Sequence, residues 1–293
     1  MERSPLIPPR LAALAQQHSV KLGLSVGGWV GAGAFSQLAA NITAVNTFAT
    51  AVNSVLTTYQ FDGVDIDWEY PGQAGSTNNF DATNDTPNFL RLLQVLRLTL
   101  GSTKFISAAV AEHLFLVNGA PVPTLPAFAA LLDWINLMVY DNFGPWVTTT
   151  AHDAPFSAFK AAASLWHSAG FAKSQIVVGY PLYGRIADVK VGTAGLGLPI
   201  IKFELLNGGN TFTYDQLVAE FVADSRWTRH WDATQLAAWW GNPAIGQFAT
   251  VPDPQAAQAR AAWVAEVGLG GMFLWEVTQD SKNIMLAAVG SAI

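Results

Sequence analysis

Cysteine is absent from the 293 residues, which excludes disulfides, thiolate metal sites and cysteine nucleophiles. Charge is scarce. Lys, Arg, Asp and Glu make up 12% of the chain, against about 25% in an ordinary soluble domain. Positive charge is scarcer still: 15 Lys and Arg face 21 Asp and Glu, for a net charge of −6. They form no stretch able to follow a phosphate backbone, so nucleic acid is not expected as a partner. Long apolar runs are also lacking. KFISAAVAEHLFLVNGA is broken by Glu112 and His113, well short of the ~20 residues of a membrane span, and no membrane partner is expected. The opening MERSPLIPPRLAALAQQHS has no continuous apolar core and reads as no signal peptide. The histidines at 18, 113, 152, 167 and 230 show no metal-ligand spacing.

What the chain does hold is apolar and aromatic bulk. Hydrophobic residues are 51% and aromatics 12%, the reverse of the disorder signature and enough to bury a large core. Asn41-Ile-Thr and Asn84-Asp-Thr fit the short glycosylation pattern, which arises often by chance.

Short β-rich runs alternate with helical patterns. The predicted strands are KLGLSV (21–26), FDGVDIDW (61–68), KFISAAV (104–110), WINLMVY (134–140), SQIVVGY (174–180) and GGMFLW (270–275). Helices are predicted at 44–59, 87–100, 155–169, 254–267 and 279–289. Strand starts fall 30 to 43 residues apart until a last gap of 96, which holds an insertion at about 186–240 rich in Trp and Gly. This alternation predicts right-handed βαβ units and a parallel sheet in an α/β fold. Six strands suit a doubly wound sheet, whereas a closed (β/α) barrel needs eight. Periodicity leaves both open.

The chemistry concentrates in Phe61-Asp-Gly-Val-Asp-Ile-Asp-Trp-Glu-Tyr-Pro71. Side chains alternate along a strand, so Asp65, Asp67 and Glu69 share one face and Val64, Ile66 and Trp68 the other. Carboxylates two residues apart lie about 6.5–7 Å from one another along the backbone. Stacked like charges on an inward face repel, and relief requires that a proton be retained. The alternative, a solvated edge face, sits badly with an apolar trio opposite. The functional reading is a strand that delivers a protonated Glu69 at its C-terminal end, where parallel α/β enzymes place their sites.

DGVDIDWEYP resembles the DxxDxDxE signature of family-18 glycoside hydrolases, the chitinases and their relatives, with every acidic position present. LGLSVGGW (22–29) resembles that family's SxGGW segment, and INLMVYDNFGPW (135–146) its M-x-Y-D segment. IVVGYPLYGR (176–185) and LGGMFLWE (269–276) resemble its last two strands. The resemblance runs from about residue 11 to the C-terminus and reads closest to fungal chitinases of class V type. It implies one glycoside hydrolase catalytic domain over 1–293, of (β/α)8 TIM-barrel type. The family has two strands before SxGGW, and this chain starts about twenty residues upstream of it. The expectation is therefore an N-terminally shortened barrel with six strands, whose open sheet edges favour self-association.

The resemblance also implies residue roles. Glu69 would protonate the glycosidic oxygen, and the substrate's own 2-acetamido oxygen would act as nucleophile. Asp67 would stabilise the resulting oxazolinium, Asp65 would share a proton with Asp67, and Tyr140 would orient the acetamide. Met138 and Asp141 would line the same subsite, with Trp275 as its apolar floor. Gly28, Trp29, Tyr70, Tyr183 and Arg185 would form further substrate contacts. No cofactor or metal is implied. The implied substrate is chitin or its N-acetylglucosamine oligosaccharides, and the implied location is extracellular. A catalytically impaired chitin-binding lectin on the same fold, an inactive fragment, and an endo-β-N-acetylglucosaminidase are the alternatives.

Plainer readings stand beside these. Met138 and Trp275 lie on apolar strands where a core role is the default, and Asp141 also suits a turn or cap. Trp239 and Trp240 suit the core of the insertion as well as sugar contact, and Glu112 has no assigned role. Gly23-Leu-Ser-Val-Gly27 matches the nucleophile-elbow pattern, but Ser25 sits inside a strand pattern rather than at a sharp turn. Gly192-Thr-Ala-Gly-Leu-Gly197 lacks a preceding strand and the lysine of a phosphate loop.

Overall fold

The computed structural model describes residues 7–205 and 209–292; residues 206–208 of the predicted insertion, with 1–6 and 293, lie outside the described residues. The chain divides into two compact units, 1–136 with 165–176, and 137–164 with 177–293.

In the first unit, four strands neighbour one another in the order β1 (Gly23–Gly27), β2 (Gly63–Asp67), β3 (Phe105–Val110) and β4 (Trp134–Leu137). The parallel register of the first three places like with like. Gly23, Gly63 and Phe105 form one layer, Ser25, Asp65 and Ser107 the next, and Gly27, Asp67 and Ala109 the last. The glycines of the first layer are there for space, because a Cβ on Gly23 or Gly63 would run into the Phe105 ring.

Helices α1 (Ile7–Gln17), α2 (Ile42–Tyr59) and α3 (Asp85–Leu100) belong to this unit. Asn41 starts α2 by accepting hydrogen bonds from the Thr43 and Ala44 N–H groups, a good N-cap because its short side chain reaches the orphan donors of the first turn. The helix then buries Val45, Ala49, Val52 and Leu56, one stripe at helical spacing. Helix α3 buries Phe89, Leu92, Leu93, Leu96 and Leu100 and stops at Gly101, where φ is 66°. A glycine there takes the left-handed backbone without steric cost.

In the second unit, β5 (Ile176–Pro181) is followed by β6 (Ile186–Asp188), β7 (Lys202–Phe203), β8 (Thr228–Asp232), β9 (Ala237–Asn242), β10 (Gln247–Thr250) and β11 (Gly271–Trp275). β5 pairs in parallel with β11. The five between them form an antiparallel sheet in the order β7-β6-β10-β9-β8. That sheet is the predicted insertion, and it runs to Thr250 rather than ending at about 240.

Trp240 stacks on Phe221 at 4.6 Å and Trp239 on His230 at 3.9 Å, so both tryptophans serve packing in the insertion. Helix α4 (Phe156–Ser168) precedes β5, α5 (Tyr214–Ala223) lies within the insertion, and α6 (Pro254–Val267) and α7 (Ile284–Gly290) flank β11. Asp253 caps α6 through the Gln255 and Ala256 N–H groups, and Pro254 occupies its first turn, where no N–H is needed. Ala256, Ala257 and Ala261 on α6 are fully buried with Met285 of α7 in one apolar cluster with Tyr180 and Leu182.

All six predicted strands are present among the described residues, with boundaries moved by at most three residues. Among the described residues no helix is long and apolar enough to cross a membrane.

Candidate active site

The carboxylate strand is built as its alternation predicts. Val64 and Ile66 are fully buried and Trp68 nearly so. Trp68 stacks on Phe35 at 5.4 Å and meets the edge of Phe89 at 5.4 Å. The three acids take the opposite face.

Asp65 is held by a ring of neutral donors. Ser25 Oγ donates to its Oδ2 at 3.0 Å, and Ser107 Oγ and Asn136 Nδ2 donate to its Oδ1 at 2.7 and 3.0 Å. Ser25, which matched a nucleophile elbow by pattern, is thus a strand residue serving a carboxylate. Asp67 sits one layer above, between the small residues Gly27 and Ala109, and is 7% exposed. Burial pushes its carboxyl up to about 7, and the negative charges of Glu69 and Asp65 push the same way. Its Oδ1 is buried without a hydrogen-bond partner among the described residues.

Gly28 has φ 81°, and its Cα passes close enough that a Cβ would lie 3.6 Å from Asp67 Oδ2. Trp29, next along, is exposed. Glu69 is half-buried two residues beyond the end of β2, and the Glu69–Tyr70 peptide bond is cis. Tyr70 lies 6.4 Å from the His113 ring, whose Nε2 is hydrogen-bonded to Gln73 Nε2 at 3.1 Å. The first unit therefore brings Asp65, Asp67, Glu69 and Gly28 together, with Trp29 and Tyr70 in the adjoining chain.

The second unit holds the remaining predicted residues, of which Tyr183 and Arg185 meet Asp141 directly. Asp141 has φ 64°, a left-handed conformation that asparagine and aspartate tolerate. Its Oδ1 accepts from Tyr183 Oη at 2.9 Å and from Arg185 Nη2 at 2.6 Å. Burial holds the Tyr183 hydroxyl well above its ordinary range. Tyr140 meets Tyr183 edge-on at 6.3 Å and Phe273 at 6.3 Å. Gly179 makes room for both rings, since a Cβ there would strike Tyr140 and Phe273.

Met138 is half-buried two residues before Tyr140. Trp275 ends β11 with 48% of its surface exposed, which removes the plain core reading for it. The Trp275–Glu276 peptide bond is cis.

Two participants were not singled out from sequence. Trp146 is exposed, donates its Nε1–H to the Asp141 carbonyl at 3.1 Å, and carries the Arg185 guanidinium 5.1 Å from its ring centre. Asp153 is buried and accepts from Arg185 Nη1 at 3.0 Å and from the Phe143 N–H at 3.2 Å. Burial pushes its carboxyl up to about 7 while Arg185 pulls it down. The INLMVYDNFGPW motif already contained Trp146, and its aromatic type was the available signal. Asp153 gave none, because its role depends on meeting Arg185 across 32 residues.

Arg185, 4% exposed and bridging two carboxylates, is the keystone of this cluster. Arg185→Ala is expected to destabilise the protein by about 3–5 kcal/mol, because Asp153 is then left buried and unpaired. Arg185→Lys should recover only part, since one ammonium cannot span both partners with a planar fork. Urea denaturation of the three proteins at pH 7 checks this; a loss under 1 kcal/mol in the alanine variant would contradict it.

A family description, glycosyl hydrolases family 18, matches residues 9–280. The chain belongs to that family. Chitinase A1 of Niallia circulans is 29% identical over 91% of this chain and 42% of its own length. The chain spans about half the length of the first curated relatives it matches. Among solved structures of this family, a chitinase from Rhizomucor miehei superposes with TM-score 0.90 and 26% identity, covering 97% of this chain and 88% of that one. A class V chitinase mutant from Nicotiana tobaccum, in complex with NAG4, superposes with TM-score 0.86 and 24% identity, covering 97% of this chain and 84% of that one. The fold is thus α/β, of the (β/α) barrel type of family-18 chitinases, with six of its parallel strands among the described residues.

Proposed function

We propose that the chain is the catalytic domain of a retaining glycosidase that hydrolyses β-1,4-linked N-acetylglucosamine polymers. The observation that carries this reading is the Asp67–Glu69 pair, in which a buried carboxyl is held near 7 beside a second, half-buried one.

In this reading Glu69 gives its proton to the glycosidic oxygen as the C1–O bond breaks. The substrate's acetamido carbonyl oxygen closes on C1 and forms the oxazolinium. Asp67 accepts a hydrogen bond from the acetamide N–H and, ionised at that moment, balances the cation. Its raised pKa lets it hold a proton at rest and release it towards Asp65 when the charge develops. Tyr140 donates to the acetamide oxygen. A water molecule then attacks C1, returns its proton to Glu69 and leaves a product of unchanged anomeric configuration.

Trp29, Tyr70, Met138, Asp141, Tyr183, Arg185 and Trp275 are the proposed substrate contacts. The exposed indoles of Trp29 and Trp275 suit the C–H faces of pyranose rings. An insoluble polysaccharide substrate places the enzyme outside the cell.

The test is hydrolysis of an N-acetyl-chitooligosaccharide followed by proton NMR. The newly formed reducing end should be the β-anomer, and a chitosan oligomer without acetamido groups should bind but remain uncut. Release of the α-anomer, or cleavage of the deacetylated oligomer at a comparable rate, would overturn the substrate-assisted reading. Calorimetric binding without hydrolysis would make the protein a lectin.

A further inference from the structure

Strand β2 ends at Asp67, two residues before Glu69, so the segments on either side of Glu69 help to fix its position. On its N-terminal side the fixing is by packing, through Trp68 against Phe35 and Phe89. On its C-terminal side the chain turns at Gly72, where φ is 80°. The Gly72 N–H donates to Asp85 Oδ2 at 3.2 Å.

Asp85 is fully buried in the first turn of α3. Its Oδ1 accepts from Ser36 Oγ at 2.7 Å and its Oδ2 also from the Asp81 N–H at 2.8 Å. All three are neutral donors; Gly72 and Asp81 lie in the connection between β2 and α3, and Ser36 comes from a segment 49 residues away. A buried acceptor is costly unless it is satisfied in this way. Gly75 completes the turn by bringing the chain back beneath Glu69, so close that a Cβ on it would collide with the Glu69 carbonyl. Gly75 is not among the positive-φ glycines, and the obstacle to a Cβ there is the Glu69–Tyr70 backbone.

We propose that the Gly72–Gly75 turn, tethered by Asp85, is the positioning device for Glu69. The inference rests on Glu69 being the proton donor, and it makes Asp85 and Gly75 positioning residues. Misplacement of a proton donor by about 1 Å costs on the order of 100-fold in turnover.

The first variant is Gly75→Ala, which adds one methyl group against the Glu69 backbone. It should lower kcat on the order of 10- to 100-fold with KM within twofold of wild type, and its melting temperature should also fall, because the added methyl group meets backbone rather than a flexible side chain. Asp85→Ala should lose kcat in the same way. Asp85→Asn should recover most of it, because the amide oxygen still accepts from Gly72 and Asp81 while the Ser36 hydroxyl turns to accept.

Carboxyl carbon NMR of the Asp67–Glu69 pair supplies a readout that does not depend on turnover. In Gly75→Ala the apparent titration midpoints should move from those of wild type, because the pair interacts by charge. A folded Gly75→Ala with wild-type kcat and wild-type midpoints would overturn the proposal. So would an Asp85→Asn as impaired as Asp85→Ala. A wild-type protein that hydrolyses nothing would overturn the glycosidase reading alone, and the NMR comparison would still decide whether the turn positions Glu69.

Discussion

Glu69→Gln is expected to lower kcat on the order of 10³- to 10⁴-fold while leaving oligosaccharide binding within about threefold of wild type. The amide matches the carboxyl in shape and can still donate a hydrogen bond. It cannot deliver a proton to a leaving oxygen. The lost term is therefore one made only in the transition state, which lowers kcat and kcat/KM together. A second consequence follows from charge. Glu69 is the largest of the charges that raise the Asp67 pKa, and its neutralisation should let the Asp67 titration midpoint fall, though not to the ordinary carboxylate range, because burial is the larger cause. Initial rates on a fluorogenic chitooligosaccharide, calorimetry with an unlabelled one, and carboxyl NMR measure the three effects. Retained hydrolysis, or binding lost together with hydrolysis, would remove Glu69 from the role of acid.

Asp67→Asn should act in opposite directions on activity and stability. Turnover should fall on the order of 10²- to 10³-fold, because an amide can neither balance the oxazolinium nor exchange a proton with Asp65. Stability should rise at alkaline pH. A carboxyl whose pKa is about 7 folded and 3.8 by default binds its proton more tightly in the native state. Its contribution to stability is therefore intact below about pH 4 and lost as pH rises towards 7 and beyond. At full ionisation the loss is on the order of 4 kcal/mol. The asparagine variant carries no such penalty, so urea denaturation should show it more stable than wild type at pH 8.5 and similar near pH 4. A variant less stable than wild type at pH 8.5 would mean that the ionised Asp67 is accommodated without cost.

The sequence was most readable where one strand or helix carries its own signal. The ladder of Asp65, Asp67 and Glu69 opposite Val64, Ile66 and Trp68 is a two-residue period, and the structure divides them between faces as that period requires. Helices α2, α3 and α6 were placed within two residues, because their apolar stripes end at Asn41, Gly101 and Asp253. The antiparallel sheet of the insertion was not visible. In Ala237–Asn242 and Gln247–Thr250 most residues on both faces are buried, so the apolar-polar alternation that marks a half-exposed strand is missing. Residues whose work lies in meeting a distant partner were equally hidden. Ser107 and Asn136 matter because the strand order sets them beside Asp65. Asp153 matters because of Arg185, and Asp85 because of Gly72. A lone Asp or Ser carries no mark of such a meeting, which comes into being only with the tertiary fold.

The uppermost layer of β1, β2 and β3 also sets what can be re-engineered near Asp67. Its two flanking positions are both small, yet they are not equivalent. Gly27 is frozen: its φ is 120°, and any Cβ would collide with the Asp67 carbonyl carrying the strand pairing. Ala109 already bears a Cβ in ordinary extended backbone and retains 9% exposure. A designer wishing to shrink or reshape the volume beside this carboxylate thus has one adjustable dial and one welded joint. A graded series at 109, from glycine through serine to valine, would vary that volume by single heavy atoms without touching any of the acids.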